Sequence, residues 1–222
     1  MEVYNAIVRF FQEGGLFMYP IMVVLAFGLA IAIERYTYLS LFRTRNQLAW
    51  KKIMPMLQAG NLSEVRSYAE NSKSAISRIL AYGLTRMTSA RDRDDIELAM
   101  EEGMLEVMPR LEKRTHYLAT LANIATLLGL LGTIIGLIQA FTAISNVSAA
   151  DKAELLSASI SVAMNTTAFG LMVGIPLLLI HSLLQSKTAQ VVDSLEMAAV
   201  KMLNSINRVE NLSGESAREA AA

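Results

Sequence analysis

Charge is excluded from three stretches of the chain, and these stretches set the first division of the sequence. Between Glu13 and Glu34 lie 20 consecutive uncharged positions, 117–150 is a second uncharged run, and 155–180 gives 26 more, closed by His181. A helix needs about 20 apolar residues to cross ~30 Å of hydrocarbon, so each run is long enough. The strongly apolar part of the second, 117–144, has 28 residues, or about 42 Å at helical rise, and must tilt or project from a bilayer. Strands would show strict alternation, which is absent. In lipid every backbone N–H and C=O must be satisfied within the protein, which leaves helices. The pattern therefore predicts transmembrane helices at 14–33, 117–144 and 155–180, with Pro20 near the start of the first, where a missing donor costs least, and Pro176 near the end of the third.

Between the first two runs, 34–116 reads as a helical domain. Leu48, Ile53 and Leu57 share one side of a segment that ends at Ala59-Gly60-Asn61. Asn61 or Ser63 can cap a short helix through Tyr68, and Ile76, Ile79, Leu80 and Leu84 mark a third amphipathic stretch slightly weakened by Gly83. The run DRDDIELAMEEGMLEVMPRLEKRTHYL predicts one helix flowing into the second span, acidic at its start and basic at its end as the macrodipole prefers, with Pro109 as a kink. Its charged part from Asp92 to Glu106 reads as a solvated face, or alternatively as a docking surface. After the third span, 181–222 carries an apolar stripe through Val191, Val192, Leu195, Ala198, Val200, Met202, Leu203 and Ile206. The closing NLSGESAREAAA has little to bury and predicts a frayed tail.

Composition sharpens this picture. Hydrophobic residues make up 53% of the 222, and mean hydropathy is +0.37, too apolar for an ordinary soluble domain. Formal net charge is zero, but 14 of the 20 Lys and Arg fall within 34–116. Arg35, Arg43, Arg45, Lys51 and Lys52 follow the first span, and Arg110, Lys113 and Arg114 precede the second. By the positive-inside rule, 34–116 and 181–222 are cytoplasmic, while 1–13 and the connector 145–154 face the opposite side, which is the periplasm if the protein is Gram-negative. The first apolar run is too long for a signal-peptide core and reads as a retained helix. Cysteine is absent, which removes disulfides, thiolate metal sites and cysteine nucleophiles.

Candidate chemistry lies inside the membrane runs. The chain has neither HExxH, GxSxG nor a Walker loop, and its two histidines, His116 and His181, flank the apolar runs. No catalytic residue and no metal site is assigned, and nothing points to nucleic acid. Span two holds GLLGTIIG, with Gly129, Gly132 and Gly136 on one face and Thr133 beside them, a pattern for close helix approach. Span three holds SASISVAMNTTAFGLMVG, with Asn165, Thr166, Thr167, Gly170 and Gly174. Intramembrane polar groups mark either helix association or an ion path. From the pattern alone, packing is favoured, because a membrane threonine commonly bonds its own preceding turn.

The run LATLANIATLLGLLGTIIGLIQAF together with ISVAMNTTAFGLMVGIPLLLIH, and EGGLFMYPI followed by ERYTYL around span one, resembles the ExbB/TolQ/MotA proton-channel family over nearly the whole chain, closest to ExbB and TolQ. The resemblance implies an all-α membrane protein with three spans and long cytoplasmic helical extensions, arranged as a homopentameric ring around a dimer of single-span ExbD/TolR/MotB-like partners, each supplying an aspartate. A TonB-like or TolA-like protein is a further partner it implies. Thr133 in GLLGT and Thr167 in TTAFG match the pore-facing hydroxyls, and Asn165 and Thr166 offer extra oxygens. The transported ion is then H⁺, with Na⁺ as the alternative, and no cofactor is needed. One departure stands out: ExbB and TolQ generally carry a glutamate five residues before the span-three threonine, where this chain has Val162. The expected mechanism has an ionised partner aspartate seeking Thr133, Thr167 or water, since a bare charge at mid-bilayer costs about 2.5–3.5 kcal/mol. Outer-membrane transport or maintenance is the implied work. The alternatives are a MotA-like flagellar or gliding stator and a passive membrane scaffold.

Overall fold

A computed structural model describes residues 1, 10–11, 14–87, 93–144 and 151–219. Among them there are six helices and no strand. We label these α1 (Met18–Gln58), α2 (Leu62–Asn71), α3 (Ala75–Met87), α4 (Arg93–Glu112), α5 (Thr115–Ile144) and α6 (Lys152–Glu219). Three of them, α1, α5 and α6, are long and apolar enough to cross a membrane. Most of the expected N-terminal segment 1–13, much of the connector 145–154, and Asp92 lie outside the described residues.

The chain divides into two compact units. The first comprises Met1–Arg35 and Arg114–Leu184. Its core is built from small and aliphatic side chains: Ile21 and Ala32 of α1, Leu118, Ala122 and Ala125 of α5, Ala163, Val173 and Leu177 of α6. Large apolar side chains point outward from the same helices, among them Leu127, Ile134, Ile138 and Phe141 of α5 and Met172, Ile175 and Leu179 of α6. In water such a surface would be costly at roughly 25 cal/mol per Å², whereas in hydrocarbon it is solvated by like. Small inside and large outside is the arrangement of helices that associate in lipid by close packing.

The second unit comprises Tyr36–Lys113 and Gln185–Ala222. Here α3 packs on α4 and α2 on α3. Ile76, Ile79, Leu80 and Leu84 are buried as their spacing predicts, and Ile96, Met100 and Val107 of α4 meet them at helical intervals. Gly83, expected only to weaken α3, sits where a Cβ would lie 2.8 Å from Met100 Cγ, and Gly103 where one would lie 3.2 Å from the Ile79 backbone. Both glycines are contact points of the α3–α4 pair. Glu97, Glu101, Glu102 and Glu106 of α4 are exposed, and Glu106 lies on the flank of α4 beside α3. The Glu106 carboxylate accepts from Arg78 Nη1 at 2.7 Å, Tyr82 Oη at 3.1 Å and Arg110 Nη2 at 3.4 Å. Its bond to Tyr82 holds that phenol above its ordinary value.

The element boundaries depart from the sequence reading in four places. First, α1 does not stop at Glu34 and Arg35 but continues to Gln58, because charged residues end a membrane run without ending a helix; Ala49, Ile53 and Leu57 form its buried side, and Leu48 is exposed. Second, α2 runs to Asn71, with Asn61 at the N-cap position but its side chain making no capping bond. Third, the predicted continuous helix into span two is two helices, broken not at Pro109 but at Lys113-Arg114, where Arg114 adopts φ 66°. Fourth, the backbone of α6 stays helical to Glu219, where a frayed tail was expected; the Glu, Arg and Ala there are good helix formers. In the α6 stripe, Val191, Leu195, Ala198, Met202, Leu203 and Ile206 are buried, whereas Val200 is exposed.

Candidate functional site

Within the first unit, α5 and α6 meet through their glycines. A Cβ at Gly129 would lie 3.1 Å from Gly170 Cα and 3.1 Å from Thr166 O, and one at Gly170 only 2.7 Å from Ala125 O. The neighbours at both positions are backbone atoms, which cannot rotate aside, so only glycine allows this approach. Farther along the pair, Gly174 faces Ala122 O at 3.0 Å and Gly136 faces Ala163 Cβ at 3.0 Å, while Gly132 abuts the Thr166 side chain.

This close contact brings the hydroxyls to carbonyls. Thr167 Oγ1, half-buried, donates across the helix pair to Gly129 O at 2.9 Å. Thr133 Oγ1, also half-buried, donates within α5 to Leu130 O at 2.6 Å. Two hydroxyls from two helices thus address consecutive carbonyls of α5. A hydroxyl has one proton to give and two lone pairs to accept with. Because a carbonyl oxygen can only accept, both protons are committed, and what each side chain has left to offer is acceptor capacity. In this arrangement either can receive a hydrogen bond or take up a cation.

Thr166 stands apart from Thr167. It is 2% exposed, and its Oγ1 lies 2.7 Å from Gly14 O, just ahead of α1, and 3.0 Å from Val162 O. This hydroxyl ties α6 to the segment leading into α1. Val162 itself packs beside that segment, with its Cγ1 3.1 Å from the Cβ position of Gly15. Asn165 is half-buried on the same helix. Thr126 Oγ1 bonds its own preceding turn at Ala122 O, 3.1 Å away, as membrane threonines commonly do.

A polar cluster with no local sequence signature joins α1 to the start of α5. Arg35, only 4% exposed, donates from Nε to Thr115 Oγ1 at 3.1 Å, and Arg114 Nη1 contacts both oxygens of Glu34 at 2.8 and 3.0 Å. Consecutive residues of α1 thereby hold consecutive residues at the entry to α5. The pairing spans 80 positions of chain, so no local pattern announces it. Among the described residues no buried side-chain nitrogen or oxygen lacks a hydrogen-bond partner, and no three His, Cys, Asp or Glu gather as for a metal ion.

Residues 71–197 match the model of the MotA/TolQ/ExbB proton channel family. An ExbB homolog of biopolymer transport from Methanothermobacter thermautotrophicus is 27% identical over 206 residues, covering 92% of this chain and 71% of that protein. A biopolymer transport protein of Synechocystis, ExbB-like 1, is 30% identical over 186 residues, covering 82% and 72%. ExbB-like 2 of Helicobacter pylori is 30% identical over 114 residues, 51% of this chain and 68% of its own. The chain is a membrane protein of the MotA/TolQ/ExbB proton channel family and belongs to its ExbB-like branch.

Proposed function

We propose that this chain is the ion-conducting subunit of an inner-membrane motor and that Thr133 and Thr167 mark its ion path. In this reading five copies ring a dimer of single-span partners, each partner brings one aspartate, and the proton motive force drives movement that energises outer-membrane transport or maintenance. Residues 34–116 and 181–222 face the cytoplasm, and the N-terminus and the 145–154 connector face the periplasm. The observation that carries the reading is the pair of half-buried hydroxyls with spare acceptor capacity, Thr133 and Thr167, set in runs that hold no acid of their own.

The direction of those two hydrogen bonds favours a mechanism different from the expected one. An ionised carboxylate needs donors, and these hydroxyls have given theirs to carbonyls. A protonated carboxylic acid is itself a donor and fits an acceptor-only oxygen. The aspartate therefore docks at Thr133 or Thr167 in its neutral form and leaves for water when it ionises. Each charge that crosses 100 mV releases about 2.3 kcal/mol, enough to bias steps between nearly equivalent subunits. Thr166 takes the role of an anchor for the α1 entry, and Val162 leaves proton exchange to the partner's acid. The same acceptor oxygens suit Na⁺, so the ion is set by which species reaches them.

The test is ion flux in vesicles that hold this chain and its single-span partner. Thr133→Val and Thr167→Val are expected to abolish flux with the oligomer intact, and Thr167→Ser to retain it. Thr166→Val is expected to loosen the fold. Unchanged flux in both valine variants would favour the passive scaffold, the reading to which the backbone-to-backbone glycine contacts lend support.

A further inference from the structure

The second unit holds a cavity of about 170 Å³ whose walls carry four cations from four segments of the chain: Arg45 of α1, Lys73 ahead of α3, Arg78 of α3 and Arg110 of α4. Its apolar lining includes Leu41 and Phe42. Like charges brought to one site repel unless something offsets them. Glu106 reaches Arg78 and Arg110, but it is a single carboxylate and is not among the residues lining the cavity. Arg45 and Lys73 extend from exposed positions.

Neutral polar groups around the cavity are already engaged. Asn46 Nδ2 donates to Phe42 O at 2.8 Å and its Oδ1 accepts from Ile76 N at 2.9 Å, while Ser74 Oγ bonds Ser77 Oγ at 2.7 Å. The lining thus combines cationic and apolar side chains, with Arg45 and Lys73 at exposed positions, which is the complement of an anionic amphiphile. The apolar part is open: Leu41 is 52% exposed and Tyr38 38%, with the Tyr38 and Phe42 rings 6.0 Å apart. Counted along α1, Tyr38 and Leu41 come four and seven residues after Glu34, the charge that ends the first apolar run. That is about 6 and 10 Å of helical rise, comparable with the depth of a headgroup layer outside ~30 Å of hydrocarbon.

We infer that this cavity binds the phosphate headgroup of an anionic phospholipid, with acyl chain lying against Leu41 and Tyr38. A soluble phosphate would use the cations but leave the apolar lining unused. The inference needs the chain to sit in a bilayer but not the ion path, so it stands or falls separately from the flux result.

The experiment is lipid retention by the delipidated protein in detergent, counted by native mass spectrometry after adding phosphatidylglycerol or phosphatidylcholine. Wild type is expected to retain phosphatidylglycerol preferentially. Since a cation near the surface contributes about 1 kcal/mol toward an anionic lipid, Lys73→Gln should lower retention on the order of fivefold, and the Arg45→Gln/Lys73→Gln pair on the order of twenty-fivefold. Both side chains are exposed, so helicity by circular dichroism should not change, and Lys152→Gln, which removes a cation outside this unit, should retain lipid as wild type does. Equal retention of the two lipids by wild type, or unchanged retention in the double variant, overturns the site. Displacement of the lipid by millimolar inorganic phosphate would assign the cavity to a soluble anion and overturn the lipid as its occupant.

Discussion

A single buried guanidinium shows how much of this protein rests on particular atoms. Arg35 is nearly inaccessible and gives its Nε proton to Thr115. Removing the acceptor while leaving the donor buried costs the desolvation of that donor, about 1–3 kcal/mol. Thr115→Val, nearly the same size, should therefore lower stability by that amount in a detergent thermal or denaturant melt, whereas Thr115→Ser should be close to neutral. A valine variant as stable as wild type would mean that the contact contributes nothing. At the same scale, sequence pattern found the threonines of span three but could not separate them. Thr166 and Thr167 are adjacent and chemically identical, yet one is locked to Gly14 and the other to Gly129. Only the neighbouring helices make that difference, and those neighbours are remote in sequence.

Among the elements, the three apolar runs were legible because a membrane helix must be long, apolar and free of charge. Their ends were less so. A charged pair such as Glu34-Arg35 marks where hydrocarbon ends, and α1 continues beyond it with Ala49, Ile53 and Leu57 as its buried side. The α4–α5 break was hidden for the opposite reason. A left-handed residue is usually glycine, and here it is Arg114, held in place while its side chain pairs with Glu34. The conformation costs a non-glycine residue about 1 kcal/mol, and an exposed ion pair returns about 0–1 kcal/mol. Arg114→Gly should thus be near neutral, because lost pairing and relieved strain offset each other. Arg114→Ala loses the pair and keeps the strain, and should be about 1 kcal/mol less stable than the glycine variant. Equal melting of the two would show that the turn is unstrained.

For the molecule as a whole, zero net charge conceals a strong segregation, with 14 of 20 cations within 34–116 and only Arg9 and Lys152 outside that segment and the C-terminal region. The proposed topology turns this into a protease map. Trypsin added to sealed inside-out vesicles should cut the Tyr36–Lys113 region readily. In right-side-out vesicles it should spare that region and reach Arg9 and Lys152 alone. Cleavage within 34–116 from the outside would invert the orientation. Class, span number and family resemblance were all readable at this scale because hydropathy and motif order act over long windows. The basic cavity was not, since Arg45, Lys73, Arg78 and Arg110 become neighbours only after four segments pack.

The two threonine bonds to α5 carbonyls also bear on how a proton could travel. Hopping along a wire of hydroxyls requires each oxygen to pass on a proton as it receives one. An oxygen whose hydrogen already points at an amide carbonyl has only a very weak base to hand it to. Thr133 and Thr167 would then serve as berths and not as relays, and the proton would cross this stretch as cargo on a moving acid.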